Sequence, residues 1–428
     1  MRRSYNRAAL RRLAVLLLVA AVASGCGGGG DDRPQVPDGR ALTIYTSLPR
    51  HGDSASAAGA VLQGQRLALA DRRNRAGGRE IKLVPLDSAK ADGETWDPGV
   101  VEKNADRAAD DDGAIAYLGE LDLGGSAISV PVTNDKGIVQ VSPLDGLTSL
   151  TQVQPGGPRG GPERYYPGGR RTFARLVAHD LSQATALVDW AREEGARRIA
   201  IVHDDQLYGR SIAAQTVFVA DARKLPVVTV KEIETADEPE DYADTAEAIA
   251  QEKERPDAVI YAGLTARTAE PMLQAVERAL PEASLYAAGP RPERALTGVG
   301  SVRLIAATRP AGDYPPRGQR VLDRIAAGQG GAEPPVAALY GYESMRLLLE
   351  AIDRARPKAG DRAAVMRDAL RPGPRTGSVL GDLAITDTGD VADQRVAAYR
   401  REGNHAVYEG LRTPRPPALP AAPGDPSS

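Results

Sequence analysis

The chain has 428 residues, with 54 Lys and Arg against 57 Asp and Glu, a formal net charge of −3 and one cysteine. A balance this close to neutral argues against a broad basic face for nucleic acid or an anionic membrane. A single cysteine excludes any disulfide within the chain.

The first residues read as a leader, not as part of the fold. Arg2, Arg3, Arg7, Arg11 and Arg12 form a basic start, and Leu13 to Val22 is an apolar stretch too short to span a bilayer comfortably. It runs into Val22-Ala-Ser-Gly-Cys26. Small residues directly before a cysteine resemble the lipobox of bacterial lipoproteins. That resemblance implies cleavage after residue 25 and acylation of Cys26, which places the protein outside the cytoplasm, on the cell membrane. Removing residues 1–25 takes away five arginines and no acid, leaving 49 basic against 57 acidic side chains, or −8. Residues 26–40 are rich in Gly, Asp and Pro and read as a flexible tether. No later apolar run reaches the ~18 residues of a membrane helix. The roughly 390 residues that remain exceed what one hydrophobic core usually supports, so two lobes are expected.

Beyond the tether, apolar runs alternate with helix-sized amphipathic segments. Ala41–Thr46 predicts a strand, Ala57–Asn74 a helix stopped by Gly77 and Gly78, Ile81–Asp87 a strand and Pro98–Asp110 a helix. Ile115–Leu118 and Ile138–Val141 flank an amphipathic segment ending at Asn134, a β-α-β unit of a parallel sheet. Ligands bind beyond the carboxyl ends of such strands, here Gly119–Gly125 and Ser142–Gly146. In the first of these loops, Gly124-Gly-Ser opens the helix and directs free N–H groups at the same spot. Residues 153–171 are crowded with Gly and Pro and read as a surface loop, a hinge-side insertion or a ligand lid, with Tyr165 and Tyr166 as the argument for a lid.

A second α/β run follows. Strands are predicted at Thr172–Val177, Arg198–His203, Val227–Ile233, Ala258–Gly263 and Ser284–Ala288. Helices are predicted at Leu181–Glu194, Ser211–Lys224, Tyr242–Glu254 and Thr268–Ala279. Ala337–Ala355 and Ala363–Leu370 read as helices, Val379–Thr386 and Val396–Arg400 as late strands, and residues 413–428 as a disordered tail. The fold class is α/β, with two doubly wound lobes.

Four segments then resemble one family. Gly137-Ile-Val-Gln-Val-Ser-Pro followed by Leu150-Thr151 is similar to the "GIPVISP…LT" segment of type I periplasmic binding proteins. Arg197-Arg-Ile-Ala-Ile-Val-His-Asp-Asp-Gln-Leu-Tyr-Gly-Arg resembles their "KVAIIYDDxxYGxG". Pro256-Asp-Ala-Val-Ile-Tyr-Ala-Gly resembles "PDAVFYGG", and the first helix ends in the same Ala-Gly-Gly. The subgroup is the leucine/isoleucine/valine-binding proteins of ABC importers, and the likeness spans about residues 41 to 412. It implies two lobes joined by three crossings, near Ala178, Asp313 and Gly377, that close on a small ligand without chemistry. Residues 41–178 with 314–377 would form one lobe and 179–313 with 378–412 the other. The implied partner is an ABC permease, the implied state a monomer, and no cofactor or nucleic acid is called for. A ligand-sensing lipoprotein acting on a membrane signalling partner is the alternative within the same fold.

Carried over residue by residue, the resemblance puts Leu123 where amino-acid binders place a serine for the ligand carboxylate, and Gly146 where they place a threonine. Asp180 matches an aspartate at the start of the second lobe. The site tyrosine falls near Leu264 or Thr265, and the acid that holds the ammonium aligns with Arg291. Lost hydroxyls and a reversed charge disfavour an ordinary aliphatic α-amino acid. Asp122 and Asp145, together with Ser142 at adjacent strand ends, read either as contacts to a cationic or hydroxylated ligand or as helix caps and turn formers. Arg291 reads as a carboxylate clamp or a solvated arginine, and Tyr208 as a ligand-stacking ring or a side chain packing its own loop. Ser47 and Ser54 are placed at the cleft mouth. His51, His179, His203 and His405 lack metal-site spacing, and neither a nucleophile elbow nor a phosphate loop occurs, so the chain reads as a binding protein and not an enzyme.

Overall fold

The structure, a computed structural model, describes residues 35–91, 93, 95–122, 124–157, 159–234, 239–263, 266–289, 296, 298–402 and 405–419. Cys26 and the leader lie outside them, as do Leu123, Leu264, Thr265 and Arg291.

The first lobe contains β1 (Leu42–Leu48), α1 (Ala55–Asp71), β2 (Arg75–Ala76), β3 (Arg79–Asp87), α2 (Pro98–Ala109), β4 (Ala114–Leu118), α3 (Ser126–Asp135), β5 (Val139–Ser142) and β6 (Phe173–Arg175). Its strands lie in the order β2-β3-β1-β4-β5-β6, all parallel except the short β2. β1 and β4 are buried along their whole length, which is why β4 reads as an unbroken apolar run, while β1 also buries Thr43, Thr46 and Ser47. The predicted β-α-β unit forms, with Ala116 opposite Val139 and Leu118 opposite Val141.

The second lobe contains α4 (Asp180–Glu193), β7 (Ile199–Asp204), α5 (Leu207–Ala222), β8 (Val227–Ile233), α6 (Pro239–Ala250), β9 (Ala258–Ala262), α7 (Ala266–Ala279), β10 (Ser284–Gly289) and β11 (Arg303–Ala306). The chain then adds α8 (Pro316–Gly328), α9 (Ala337–Arg354), α10 (Arg362–Ala369), β12 (Gly373–Arg375), β13 (Leu383–Ile385), β14 (Val396–Glu402) and β15 (His405–Arg412). The second sheet runs β15-β14-β11-β10-β9-β7-β8, and its last two strands are antiparallel.

Several elements differ from the sequence reading, and β2, β11 and β12 were not expected as strands. α8 was not foreseen, although Val321, Leu322 and Ile325 enter the first core at helical spacing; its many charged residues hid the pattern. β15 is an outer, half-exposed strand whose alternation is weak. The strand expected over Val379–Thr386 shrinks to β13. The chain leaves the first core after Val177, returns to it by Tyr314, and leaves again between Val391 and Val396. The third crossing thus lies beyond Gly377, because Val379, Leu383, Ile385 and Val391 still pack in the first core.

The segment 153–171 packs on the first lobe through its tyrosines, and Gln154 Nε2 donates to Ser211 Oγ of α5 in the second lobe at 3.0 Å. Tyr165 and Tyr166 are buried against Val130, Leu147, Leu150 and Phe173. The Tyr166 hydroxyl donates to the Leu150 carbonyl at 2.5 Å, and the Asn134 amide holds Arg170 O at 2.6 Å. With both rings turned inward, the segment braces the loop after β5. Among the described residues, no helix is long and apolar enough to cross a membrane.

α1 and α9 cross at two glycines. A β-carbon on Gly341 would lie 2.1 Å from Val61 O, and one on Gly64 would lie 1.9 Å from Ala338 O. The backbones touch there, so both positions require glycine. Gly341→Val should cost about 3 kcal/mol or more, at or above the upper end of core overpacking. Urea unfolding measures this, and an unchanged midpoint would contradict the packing.

Candidate functional site

Two loops at the carboxyl end of the first sheet meet the start of the second lobe. After β5, Ser142 is consumed locally: its hydroxyl donates to Glu120 O at 2.7 Å and accepts from Asp145 N at 2.9 Å. Asp145 is fully buried. Its Oδ1 accepts from Gly124 N (3.0 Å) and Leu147 N (3.1 Å), and its Oδ2 from Ser126 N (3.0 Å). Its carboxylate therefore caps α3 and shapes its own turn, the capping role described for Asp. Gly124 keeps the loop thin, since a β-carbon there would meet Leu207 Cδ2 of α5 at 2.9 Å. The lobes touch at this point.

From the second lobe, Asp180 opens α4. Its N–H donates to Gly146 O at 2.7 Å. Its Oδ1 accepts from Gln183 Nε2 at 3.1 Å, whereas Oδ2 is buried without a hydrogen-bond partner. A β-carbon on Gly146 would lie 2.2 Å from Asp180 Oδ1. The aspartate thus occupies the volume that a threonine side chain at 146 would fill. Burial pushes the Asp180 carboxyl up to about 7, with Asp145 adding to the effect and Arg175 opposing it.

Tyr208, in the first turn of α5, is buried, and its hydroxyl has no hydrogen-bond partner. Burial raises its pKa, and Asp180, Asp204 and Asp122 raise it further, so the ring lies among three carboxylates. Asp122 is itself buried. Thr148 closes the contact from the first lobe: its hydroxyl accepts from Leu181 N at 3.1 Å and donates to Gln215 Oε1 of α5 at 2.7 Å. Asp122, Ser142, Asp145, Asp180 and Tyr208 therefore converge on one boundary. Leu123, Thr265 and Arg291 lie outside the described residues. Ser47 does not line the cleft mouth; it is buried, and its hydroxyl donates to Glu120 Oε2 at 2.6 Å.

Two charged groups escaped the sequence reading. Glu120 directly follows the buried β4 and Gly119, which was its only signal. It accepts from Ser47 and, at 2.9 Å, from the Tyr117 hydroxyl; burial raises its pKa to about 8. Arg175, at the end of β6, is completely buried. It pairs with Asp390 at 2.9 Å and donates to Asp145 O (3.2 Å), Leu147 O (2.9 Å) and Thr151 Oγ1 (2.9 Å). The guanidinium fixes the loop that carries Gly146 and links it to the segment before the third crossing. Among the described residues, no cluster of three or more His, Cys, Asp or Glu is placed to hold a metal ion.

The sequence profile described as "Periplasmic binding protein" matches residues 43–405. The chain belongs to the periplasmic binding protein family. Among curated protein sequences, none matches at a significant level. The fold of this binding protein is similar to that of the leucine-binding protein LivK of Thermotoga maritima, at 19% identity and a TM-score of 0.70, covering 87% of this chain and 99% of that one. A solute-binding protein of an ABC transporter from R. palustris, solved with benzoate, is 18% identical with a TM-score of 0.69, covering 90% and 100%. LivJ of Streptococcus pneumoniae, solved with isoleucine, is 15% identical with a TM-score of 0.64, covering 87% and 99%.

Asp180 and Glu120 hold their protons more tightly folded than unfolded, since their ordinary values are 3.8 and 4.5. Their contribution to stability therefore falls as pH rises from about 4 to about 8, opposite in sign to that of the buried neutral His179. Asp180→Asn should flatten this slope, matching the parent at pH 4 and exceeding it at pH 8 in urea unfolding. Identical slopes for the two proteins would contradict the assignment.

Proposed function

We propose that this protein is a lipid-anchored, extracytoplasmic solute-binding protein that captures a small polar ligand between its lobes and delivers it to an ABC permease. The observation that carries the reading is the pair of buried, unsatisfied oxygens at the lobe boundary, Asp180 Oδ2 and Tyr208 Oη. Leaving such atoms unpaired costs about 1–3 kcal/mol each, which a ligand donating to them would recover. Because Asp180 belongs to one lobe and its contact Gly146 to the other, a ligand bound here favours the closed arrangement over an open one. Asp122, Ser142 and Asp145 form the floor beneath it. Leu123, Thr265 and Arg291 complete the ligand-facing set by their positions in the family pattern.

The ligand is an amino acid, an amide or a related small polar molecule that presents a donor to Asp180. An ordinary aliphatic amino acid is disfavoured, because Gly146 offers no hydroxyl and Arg291 reverses the charge of the family's acid. Cys26 supplies the anchor through acylation of its sulfur and of the new amino group. Binding needs neither a cofactor nor a second copy of the chain.

A thermal-shift screen of amino acids, amides, short peptides and organic acids tests the reading. A true ligand at 100-fold its dissociation constant should add about 2.7 kcal/mol. Asp180→Asn and Tyr208→Phe should each weaken that ligand at least tenfold, about 1.4 kcal/mol. A best hit indifferent to both substitutions, or leucine or valine as the best hit, would overturn it. Acyl labelling should mark the parent and not Cys26→Ser; an unlabelled parent would remove the anchor from the proposal.

A further inference from the structure

A second polar site lies on the first lobe, away from the residues just described. α8 and α9 and the turn after β12 enclose two adjoining hollows of about 700 and 440 Å³. Arg317 and Gly377 line both, so the hollows meet at that pair. Gly377 has a φ of +79°, and a β-carbon there would lie 3.3 Å from Arg317 Nη1 and 3.9 Å from Arg346 Nη1. Two guanidinium groups from different helices thus converge on one bare stretch of backbone.

The charges around this point do not balance. Arg346 is neutralised by Glu343 (2.5 Å) and Glu350, Arg324 by Asp71 (2.6 Å), and Arg395 by Asp393 (2.6 Å). Among the described residues, Arg317, Arg320, Arg371 and Arg375 have no carboxylate at ion-pair distance. Arg375 carries the argument furthest. It lines the larger hollow and is only 6% exposed. Its Nη2 donates to the carbonyls of Ala369 (3.0 Å) and Arg371, while Nε and Nη1 have no partner. Burial, and then Arg354 and Arg371, lower its pKa to about 10, with Glu350 opposing them. A buried cation flanked by further cations is costly unless an anion offsets it. Arginine forks suit the oxygens of such an anion.

We propose that the hollow at Arg317, Gly377 and Arg375 is a binding site for a phosphate-class oxyanion, separate from the interlobe ligand. The site faces three kinds of donor: the exposed Arg317 fork, the Arg375 guanidinium behind it, and Thr376 and Ser378 on the intervening turn. The acids lining the larger hollow are Asp382 and Asp393, and the latter is already paired with Arg395. The oxyanion is either free inorganic phosphate or the phosphate of a lipid headgroup.

Calorimetry of the full chain with inorganic phosphate, at constant ionic strength set with chloride, tests the site. The expected result is one saturable site whose dissociation constant rises at least tenfold in Arg317→Ala and in Arg375→Met. Arg317 is exposed, so its variant keeps the fold and decides the matter even if Arg375→Met unfolds. Co-sedimentation of Cys26→Ser protein with phosphatidylglycerol vesicles, compared with phosphatidylcholine vesicles, separates the sources. Arg317-dependent retention assigns the lipid headgroup, and phosphate binding without retention assigns the free ion. Absence of saturable phosphate binding, or binding equal in parent and Arg317→Ala, would overturn the proposal.

Discussion

Gly146 and Asp180 bring the two lobes into direct contact. One is a residue with no side chain on the loop after β5, the other a carboxylate at the first turn of α4, and the N–H of Asp180 meets Gly146 O at 2.7 Å. A β-carbon at 146 would collide with that carboxylate, so Asp180 keeps this side-chain position only because position 146 is bare. Around the contact the interior is acidic and buried. Asp122, Asp145 and Asp180 are buried within the electrostatic reach of Tyr208 or of one another. Such a concentration of carboxylates persists where hydrogen bonds and a cation offset it.

Arg175 supplies that cation. Its guanidinium sits under the loop, bound to the backbone oxygens of Asp145 and Leu147, and pairs with Asp390. Asp390 is held in turn by Thr151 and Gln152 at 2.9 Å each. Arg175 precedes the first crossing and Asp390 precedes the third, so the ion pair joins two hinge segments to the floor of the site. Nearby, Gln394 accepts from His179 N and from the Ser182 hydroxyl, both at 3.0 Å, and so ties the third crossing to the start of α4. His179 stays neutral there, because burial lowers its pKa to about 4. A change in the hinge thus reaches the loop around Gly146 through a short chain of bonded groups. That is the physical connection a closing binding protein needs between its ligand and the relative placement of its lobes.

Much of the frame was legible in the sequence because the strands that build it are buried on both faces. Ala114–Leu118 and Ala258–Ala262 show no alternation, and they mark central strands without ambiguity. α8 was obscured by its arginines, and β15 by being an outer, half-exposed strand. The site was legible in part. Asp180 could be picked out because it stands at a strand-to-helix junction and matches a family position. Asp145 could be placed, with capping as one of its two readings, but not that the helix it caps is α3, whose start lies in the other loop. Glu120 and Arg175 could not be read, because their partners come from distant parts of the chain: Ser47 for one, Asp390 for the other. Burial of a charge is a property of the tertiary fold, and local composition carries no trace of it.

The bare position at 146 invites the most direct examination of this account. Small-angle scattering on the parent and on Gly146→Ala would compare their radii of gyration with and without the ligand found by screening. The account predicts that in Gly146→Ala the added methyl group displaces the Asp180 carboxylate, so that ligand no longer contracts the molecule as it does the parent. Equal radii for the two proteins, with the same contraction on ligand addition, would contradict it.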